Sequence, residues 1–360
     1  MSESKRIVIT GAFGTIGRET IGLLRERGHE VWGTDVHTKA NSEVEAKLQR
    51  ACKFTTNWLD ITDRDQVIAL VQDVQPQVVI HLASIIPPHF FDDLKRSEAI
   101  NLGGTRHMID AARGLAKPPL FILASSHTVH GYRNGARELP ELAADTPRAS
   151  CDGYTRIKIE CEDLLLESGL PYTILRYGIV FPRVYSRKID PAGLKINFII
   201  PLDSRSHGCH VEDAGLATTR AAEGLAVGKT LMISGNDKWK QRQRFYIASI
   251  LSAVGVGMLP EEAYVQGDPE RDESWFYTDW MDTTEGQELL EYQKCDPEDY
   301  FRFLAKDMGL LRPLARLASP LVRRKIARMS PFYTGKADPK APDTTLEDRI
   351  RLYATPAPRR

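Results

Sequence analysis

A chain of 360 residues with 48 basic and 48 acidic side chains and 42% hydrophobic residues is long enough to bury a full core, as one large domain or two fused ones. It contains no run of eighteen apolar residues, which excludes a membrane-spanning helix, and its neutral balance gives no reason to expect a nucleic-acid partner. Five scattered cysteines with no CxxC spacing fit reduced thiols in a cytoplasmic setting, and MSESKR at the start has no apolar signal-peptide region.

KRIVIT (5–10) reads as the first strand. Residues 15–27 then show helical periodicity through Ile16, Leu23 and Leu24, and Gly28 supplies the stop. EVWGTD (30–35) and KFTTN (53–57) are the second and third strands. In DITDRDQVIALVQDV (60–74), Thr62 or Asp63 is suited to cap a helix. QVVIHLA (77–83) is an apolar fourth strand, a helical stretch covers roughly 92–115, and PLFILAS (119–125) is the fifth strand. A helix over 154–168 and a strand at YTILRY (172–177) complete the alternation. This order predicts an α/β fold, a Rossmann-type doubly wound parallel sheet with helices on both faces. Beyond residue 178 the alternation weakens. PRVYSRKIDPAGL (182–194) reads as a loop, HVEDAGLATTRAAEGLA (210–226) as a helix and KTLMIS (229–234) as a strand, with several helices after them.

Residues 311–360 differ in composition, with 12 Lys/Arg against 4 Asp/Glu and 7 of the 21 prolines. The tail therefore carries +8 and the preceding chain −8. SPLVRRKIARMSP (319–331) reads as a short basic amphipathic helix, with Ser319 as cap, Pro320 in the first turn, and Val322, Ile326 and Met329 on one face. We expect it to dock on the acidic body or on a second subunit, with an anionic membrane surface as the remaining alternative.

TGAFGTIG (10–17) places Gly11, Gly14 and Gly17 between a strand and a helix. The first permits a tight turn, the second admits a pyrophosphate, the third lets helix and strand pack closely, and the helix N-terminus favours phosphate. Asp35 ends the second strand, 18 residues past Gly17. A carboxylate there accepts hydrogen bonds from ribose hydroxyls and repels a 2′-phosphate, so the pattern predicts NAD in preference to NADP, with His37 or Lys39 the residues to suspect if NADP binds equally.

DGYTRIKIE (152–160) holds the single YxxxK of the chain, Tyr154 and Lys158, one helical turn apart on a shared face. A free tyrosine titrates near 10, so proton transfer at neutral pH needs a shift of about 3 units, which a neighbouring ammonium and a cationic nicotinamide ring can supply. Upstream stands SSHTVHG (125–131). No GxSxG elbow is present, which removes the common hydrolase reading. His127/His130 and His207/His210 lack a carboxylate or thiolate at suggestive spacing, so no metal site is expected.

Taken together, TGAFGTIG, Asp35, DI (60–61), HLAS (81–84), NLGGT (101–105), SSHTVHG, YTRIK, LRYGIVFP (175–182) and HVEDAG (210–215) resemble the extended short-chain dehydrogenase/reductases, the NAD-dependent epimerase/dehydratase family, over roughly residues 5–290. The resemblance implies that Ser126, Tyr154 and Lys158 are catalytic. Ser126 would bond the reacting oxygen, Tyr154 would act as general acid/base, and Lys158 would hold the nicotinamide ribose while tuning the phenol. It further implies cofactor contacts from Phe13, Thr15 and Ile16 in the glycine loop, from Asp60 and Ile61 at the adenine, and from Leu82, Ala83, Ser84, Asn101 and Tyr177 along the sheet edge. Family members often dimerise through the helix carrying the tyrosine, so a homodimer is expected.

The departures from the pattern are informative. The dehydratases of this family carry an Asp-Glu pair after the serine position, whereas this chain has His127 and Thr128, so dehydration is not expected. The epimerases commonly have Asn at Ile179 and Arg at Ser206, groups that bind a diphosphate. Arg205 lies one residue away, which on a strand changes face. Together with Ser84, Ser126 and His127, Ile179 and Arg205 are the candidate substrate contacts. IIPPHFF (85–91) either covers a weakly charged substrate or packs the loop.

These readings divide the chain into a dinucleotide-binding domain (1–177), a smaller, mostly helical substrate lobe (178–310) and the basic tail (311–360). They predict hydride transfer between NAD and a secondary alcohol or ketone of a sugar-like or other small molecule. An epimerase that retains its NADH is the alternative, and a non-catalytic cofactor sensor a third.

Overall fold

The run RIVIT buries Ile7, Val8 and Ile9 completely, as a strand does when helices cover both faces of its sheet. The computed structural model describes residues 3–183, 191–340 and 346–351. The chain opens with β1 (Arg6–Thr10), α1 (Thr15–Glu26), β2 (Glu30–Asp35), α2 (Lys39–Ala51), β3 (Thr55–Trp58), α3 (Arg64–Val74) and β4 (Val78–His81). α4 (Leu94–Glu98) leads through a π-helical turn at Ala99–Gly103 into α5 (Gly104–Arg113), and β5 (Leu120–Ser126), α6 (Gly153–Leu166) and β6 (Tyr172–Tyr177) follow. Next come β7 (Ile179–Phe181), α7 (Pro191–Ile196), β8 (Arg205–His210), α8 (Val211–Ala222), β9 (Lys229–Ile233), β10 (Lys240–Arg242) and α9 (Gln243–Ala253). The last helices are α10 (Thr284–Leu290), α11 (Pro297–Asp307), α12 (Leu311–Leu317), α13 (Ser319–Ala327) and α14 (Leu346–Arg351).

Seven parallel strands form the main sheet in the order β3-β2-β1-β4-β5-β6-β9. All strand ends that carry the motifs therefore meet at one edge. One face is covered by α3, α5 and α6, whose Val67, Val71, Met108 and Ile157 join Val8, Val79 and Phe121. The other face is covered by α1 and α8, whose Ile21, Leu24, Ala214 and Ala217 pack on Ile7, Ile9 and Ile80. Asp63 caps α3, accepting from the Asp65 and Gln66 amides at 3.2 and 3.1 Å. Gly28, at φ +82°, turns the chain after α1.

The structure alters the expected division of the chain at two points. First, β9 and α8, both from the region assigned to the substrate lobe, belong to the main sheet and its helical layer, because Thr173 to Tyr177 of β6 still offer a free edge after residue 177. What remains of the lobe is a three-stranded sheet, β10-β8-β7, with helices around an aromatic cluster of Phe181, Trp239, Tyr246 and Tyr300. Second, the body does not end at 310. Ala327, Phe332, Leu346 and Ile350 are buried in the same core as Tyr154. Ser319 does not cap α13; its hydroxyl bonds Val256 O and ties the tail to the body. Of the expected loop at 182–194, residues 184–190 lie outside the described residues and its end forms part of α7.

Candidate functional site

β1 ends at Thr10 and α1 begins at Thr15, so the glycine loop turns within four residues. Gly11 has φ +66°, and a Cβ there would lie 2.7 Å from the Ala83 nitrogen. A Cβ on Gly17 would lie 2.4 Å from the Gly11 oxygen, so the helix can approach the strand only through glycine. Gly14 is the N-cap and offers no side chain to the first turn of α1, which leaves the N–H groups around Thr15 and Ile16 for an anion. Phe13 sends its ring into the core against Phe54 and Trp58, and its amide donates to Asp35 Oδ2 at 3.1 Å. Asp35 also accepts from the Val36 amide at 2.9 Å and from Asn41 Nδ2 at 3.1 Å. Burial pushes its carboxyl above the usual carboxylate range, and these three hydrogen bonds oppose that. A closed glycine turn, an uncapped helix start and an acid beside both suit a dinucleotide with a free ribose 2′-hydroxyl.

The neighbouring strand ends are fixed by side chains. Leu82 and Ala83 donate to the Thr10 carbonyl and hydroxyl at 3.2 and 3.3 Å. Asn101 both donates to Ile85 O and accepts from Ile85 N, each at 2.8 Å, clamping the chain just beyond Ser84. The π turn holding Asn101 leaves its carbonyl to accept from Thr105 Oγ1 at 2.5 Å and Cys161 Sγ at 3.3 Å. His81 bridges Thr10 and Thr105 at 2.7 and 3.0 Å, and burial, with Lys158 nearby, lowers its pKa to about 3. Asp60 is exposed and accepts from the Thr62 amide and hydroxyl, while Ile61 is buried under Gly104, where a Cβ would meet it at 2.4 Å.

At the end of β5 the chain delivers Ser126. Asp152 caps α6 by accepting from the Thr155 amide at 2.7 Å, and Thr155 reciprocates by accepting from the Asp152 amide. This box sets the first two turns of α6, which carry Tyr154 and Lys158. Tyr154 is buried edge-on against Phe90, centroids 5.4 Å apart. Lys158 Nζ donates to Ala124 O at 3.0 Å and lies 5.9 Å from the centre of the Tyr154 ring. Burial pushes the Tyr154 phenol up and the Asp152 charge adds to this; a hydrogen bond with Ser126 opposes both. Burial also lowers the Lys158 ammonium, against the acidic surroundings of Cys161 and Glu162. Ser126, Tyr154 and Lys158 thus converge at the edge that carries the glycine loop.

Four of the expected contacts are placed differently. The Tyr177 ring points into the core and its hydroxyl bonds Thr218 at 2.7 Å, so only its main chain stands at the site, beside Ser126. His127 is buried, its pKa is lowered to about 4 by burial, and Nδ1 donates to Tyr177 O at 2.9 Å. Arg205 is no free cation. Its guanidinium faces Asp279, with Nε 2.7 Å from Oδ1 and Nη2 2.9 Å from Oδ2, and it lies over Trp280. Ile179 packs beside the Phe181 cluster. Within IIPPHFF, Phe90 and Phe91 are buried and support Tyr154, while Ile86 is exposed.

Two groupings were not anticipated. Glu162, wholly buried one turn beyond Lys158, bonds Arg176 at 2.7 and 2.9 Å, Arg148 at 3.3 Å and Ser125 at 2.5 Å, tying α6 to β5 and β6. Of the histidines considered for metal, His130 bonds Pro147 O and His207 bonds Gly235 O. Among the described residues, His210, Glu212 and Cys295 instead bring their ligand atoms within 4.8 Å of one another. Spacing could not reveal this, since Cys295 lies 85 residues from His210. Its thiol is pushed up to about 12 by burial and by Asp213 and Glu212.

The model of the NAD dependent epimerase/dehydratase family matches residues 7–196. A 3-diazoavenalumate denitrifying reductase of Streptomyces is 29% identical over 238 residues, 62% of this chain and 74% of that protein. An uncharacterized epimerase/dehydratase of Staphylococcus aureus is 30% identical over 203 residues, and the match spans 55% of this chain and 59% of that protein. In fold, the chain is similar to the Bordetella bronchiseptica enzyme WbmH, solved in complex with NAD+, with a TM-score of 0.66 and 22% identity over 87% of this chain and 100% of that one.

Proposed function

This chain belongs to the NAD dependent epimerase/dehydratase family, and from that premise we propose that it carries out net hydride transfer between NAD and a secondary alcohol or ketone of a sugar-like or other small substrate. NAD, when bound, supplies the hydride acceptor or donor. Gly11, Gly14, Gly17 and the start of α1 would hold its pyrophosphate, Asp35 the adenosine ribose, and Lys158 the nicotinamide ribose. Tyr154 Oη gives its proton to the substrate carbonyl in reduction or takes the hydroxyl proton in oxidation. Ser126 Oγ hydrogen-bonds the same oxygen and holds it at the phenol. Phe90 keeps water from the other side of the Tyr154 ring.

The convergence of Ser126, Tyr154 and Lys158 beside the glycine cradle carries this reading. No acid pair follows Ser126, and His127 is a neutral group committed to Tyr177 O, so dehydration has no acid/base couple there. The reductase activity in the name of the Streptomyces relative agrees with net redox.

Epimerisation is the second reading, favoured by the family description. It would use the same proton transfer but keep NADH bound, turn the keto product over and return hydride to its other face. The commitment of Arg205 to Asp279 weighs against the diphosphate-bearing substrates that such a step uses for anchoring. Incubation with NAD and a panel of secondary alcohols separates the two. Free NADH accumulating in step with ketone supports net oxidation; product inversion without free NADH supports epimerisation.

A further inference from the structure

The tail carries two apolar faces, and only one is used by the fold. Val322 and Ile326 of α13 and Met329 just beyond it pack on the core, Ala327 is buried, and Ser319 and Ser330 bond Val256 O and Ala263 O. On the outer side Leu310, Leu314, Leu317 and Leu321 recur at helical intervals with exposures of 86, 60, 83 and 75%, and Leu311 is half exposed. Single exposed leucines are common on soluble proteins, but five within twelve positions form a patch that marks an interaction surface. The stretch 308–337 contains seven Lys/Arg and no Asp or Glu. Arg316, Arg323, Arg324, Lys325 and Arg328 are exposed, and among the described residues none of them forms an ion pair with an acid.

We propose that the outer face of α12 and α13 docks on an anionic phospholipid bilayer. The leucines would enter the boundary between headgroups and acyl chains, and the arginines would reach lipid phosphates, which their guanidinium fork suits. Charge selects this occupant. A symmetric contact with a second copy would bring the same cluster of arginines face to face around the leucines. Spanning is excluded on length, since no described helix is long and apolar enough to cross a membrane. A face lying flat on the surface satisfies both the leucine stripe and the unpaired cations. The body remains on the water side, because α13 is anchored to it through the opposite face.

The test is co-sedimentation of the full chain with vesicles of phosphatidylcholine alone or containing phosphatidylglycerol, at low and high salt. The proposal expects pelleting only with the anionic vesicles, weakened by salt. The double variant Leu317→Ser/Leu321→Ser and the triple variant Arg316→Glu/Arg323→Glu/Arg324→Glu should each weaken partition roughly ten-fold or more, with melting temperature unchanged. No binding to anionic vesicles overturns the proposal, as does binding that neither variant alters. A native dimer that the leucine variant dissolves, with no vesicle binding, also overturns it in favour of a second copy.

Discussion

Lys158 Nζ stands 5.9 Å from the centre of the Tyr154 ring while its own hydrogen bond goes to Ala124 O, so the ammonium is held near the phenol without being bonded to it. A charge so placed stabilises a phenolate more than a phenol. Burial acts in the opposite sense on both groups, raising the phenol and lowering the ammonium. Oxidation needs the deprotonated phenol, so kcat/KM for an alcohol should climb about ten-fold per pH unit from neutral into the alkaline range. Reduction, which needs the protonated form, should be level near neutrality. Lys158→Met removes the positive charge and should move the oxidation limb to higher pH. An oxidation profile that is level from about pH 6 to 9 would contradict the assignment of Tyr154 as the base.

We propose that Asp35 governs the choice between NAD and NADP. Its two oxygens already accept from Phe13, Val36 and Asn41, so the carboxylate is fixed at the end of β2 where a 2′-phosphate would meet its charge. Asp35→Asn keeps an acceptor but drops the charge, and should raise NADPH affinity relative to NADH by about ten-fold. Fluorescence titration with each nucleotide measures it. Equal affinity of the native chain for both would remove the selectivity argument.

Glu162 is wholly buried between Arg176, Arg148 and Ser125. Glu162→Gln leaves the buried Arg176 without its counter-charge and should cost about 3–5 kcal/mol in urea unfolding. A loss below about 1 kcal/mol would show that the network tolerates the missing charge.

Leu346 is fully buried and α14 packs beside the His89–Phe91 turn that supports Tyr154. Leu346→Ala should therefore destabilise the chain by about 2–5 kcal/mol, and a chain cut at residue 310 should lose more. Thermal unfolding of the two proteins tests this. A cut chain as stable as the full one would mean that the tail is a mere appendage.

The sequence exposed the main sheet because its strands announce themselves. RIVIT and VVIH are apolar on both faces, and the glycines sit where a Cβ would clash. The lobe was less legible. RSHGCH of β8 is buried throughout yet mostly polar, so no apolar run marks it, and β7 and β10 are three residues each. α2 has no fully buried residue; Val44 and Leu48, one turn apart, pack only partly against the core, and Thr38 caps the helix by accepting from the Asn41 amide. The Arg205–Asp279 and Glu162–Arg176 pairs are formed by tertiary neighbours, and nothing in spacing foretells them. In the tail, the Val322, Ile326 and Met329 stripe read from sequence is the buried face, which left the leucine stripe beside it unread.

In the proposed reaction the Tyr154 hydroxyl moves the substrate proton. Turnover and NADH binding by Tyr154→Phe, measured on the same preparation, test it most directly. Turnover should fall by about 10²–10⁴-fold while NADH affinity and melting temperature stay near native. Turnover equal to the native chain's, with the cofactor bound as before, would contradict it.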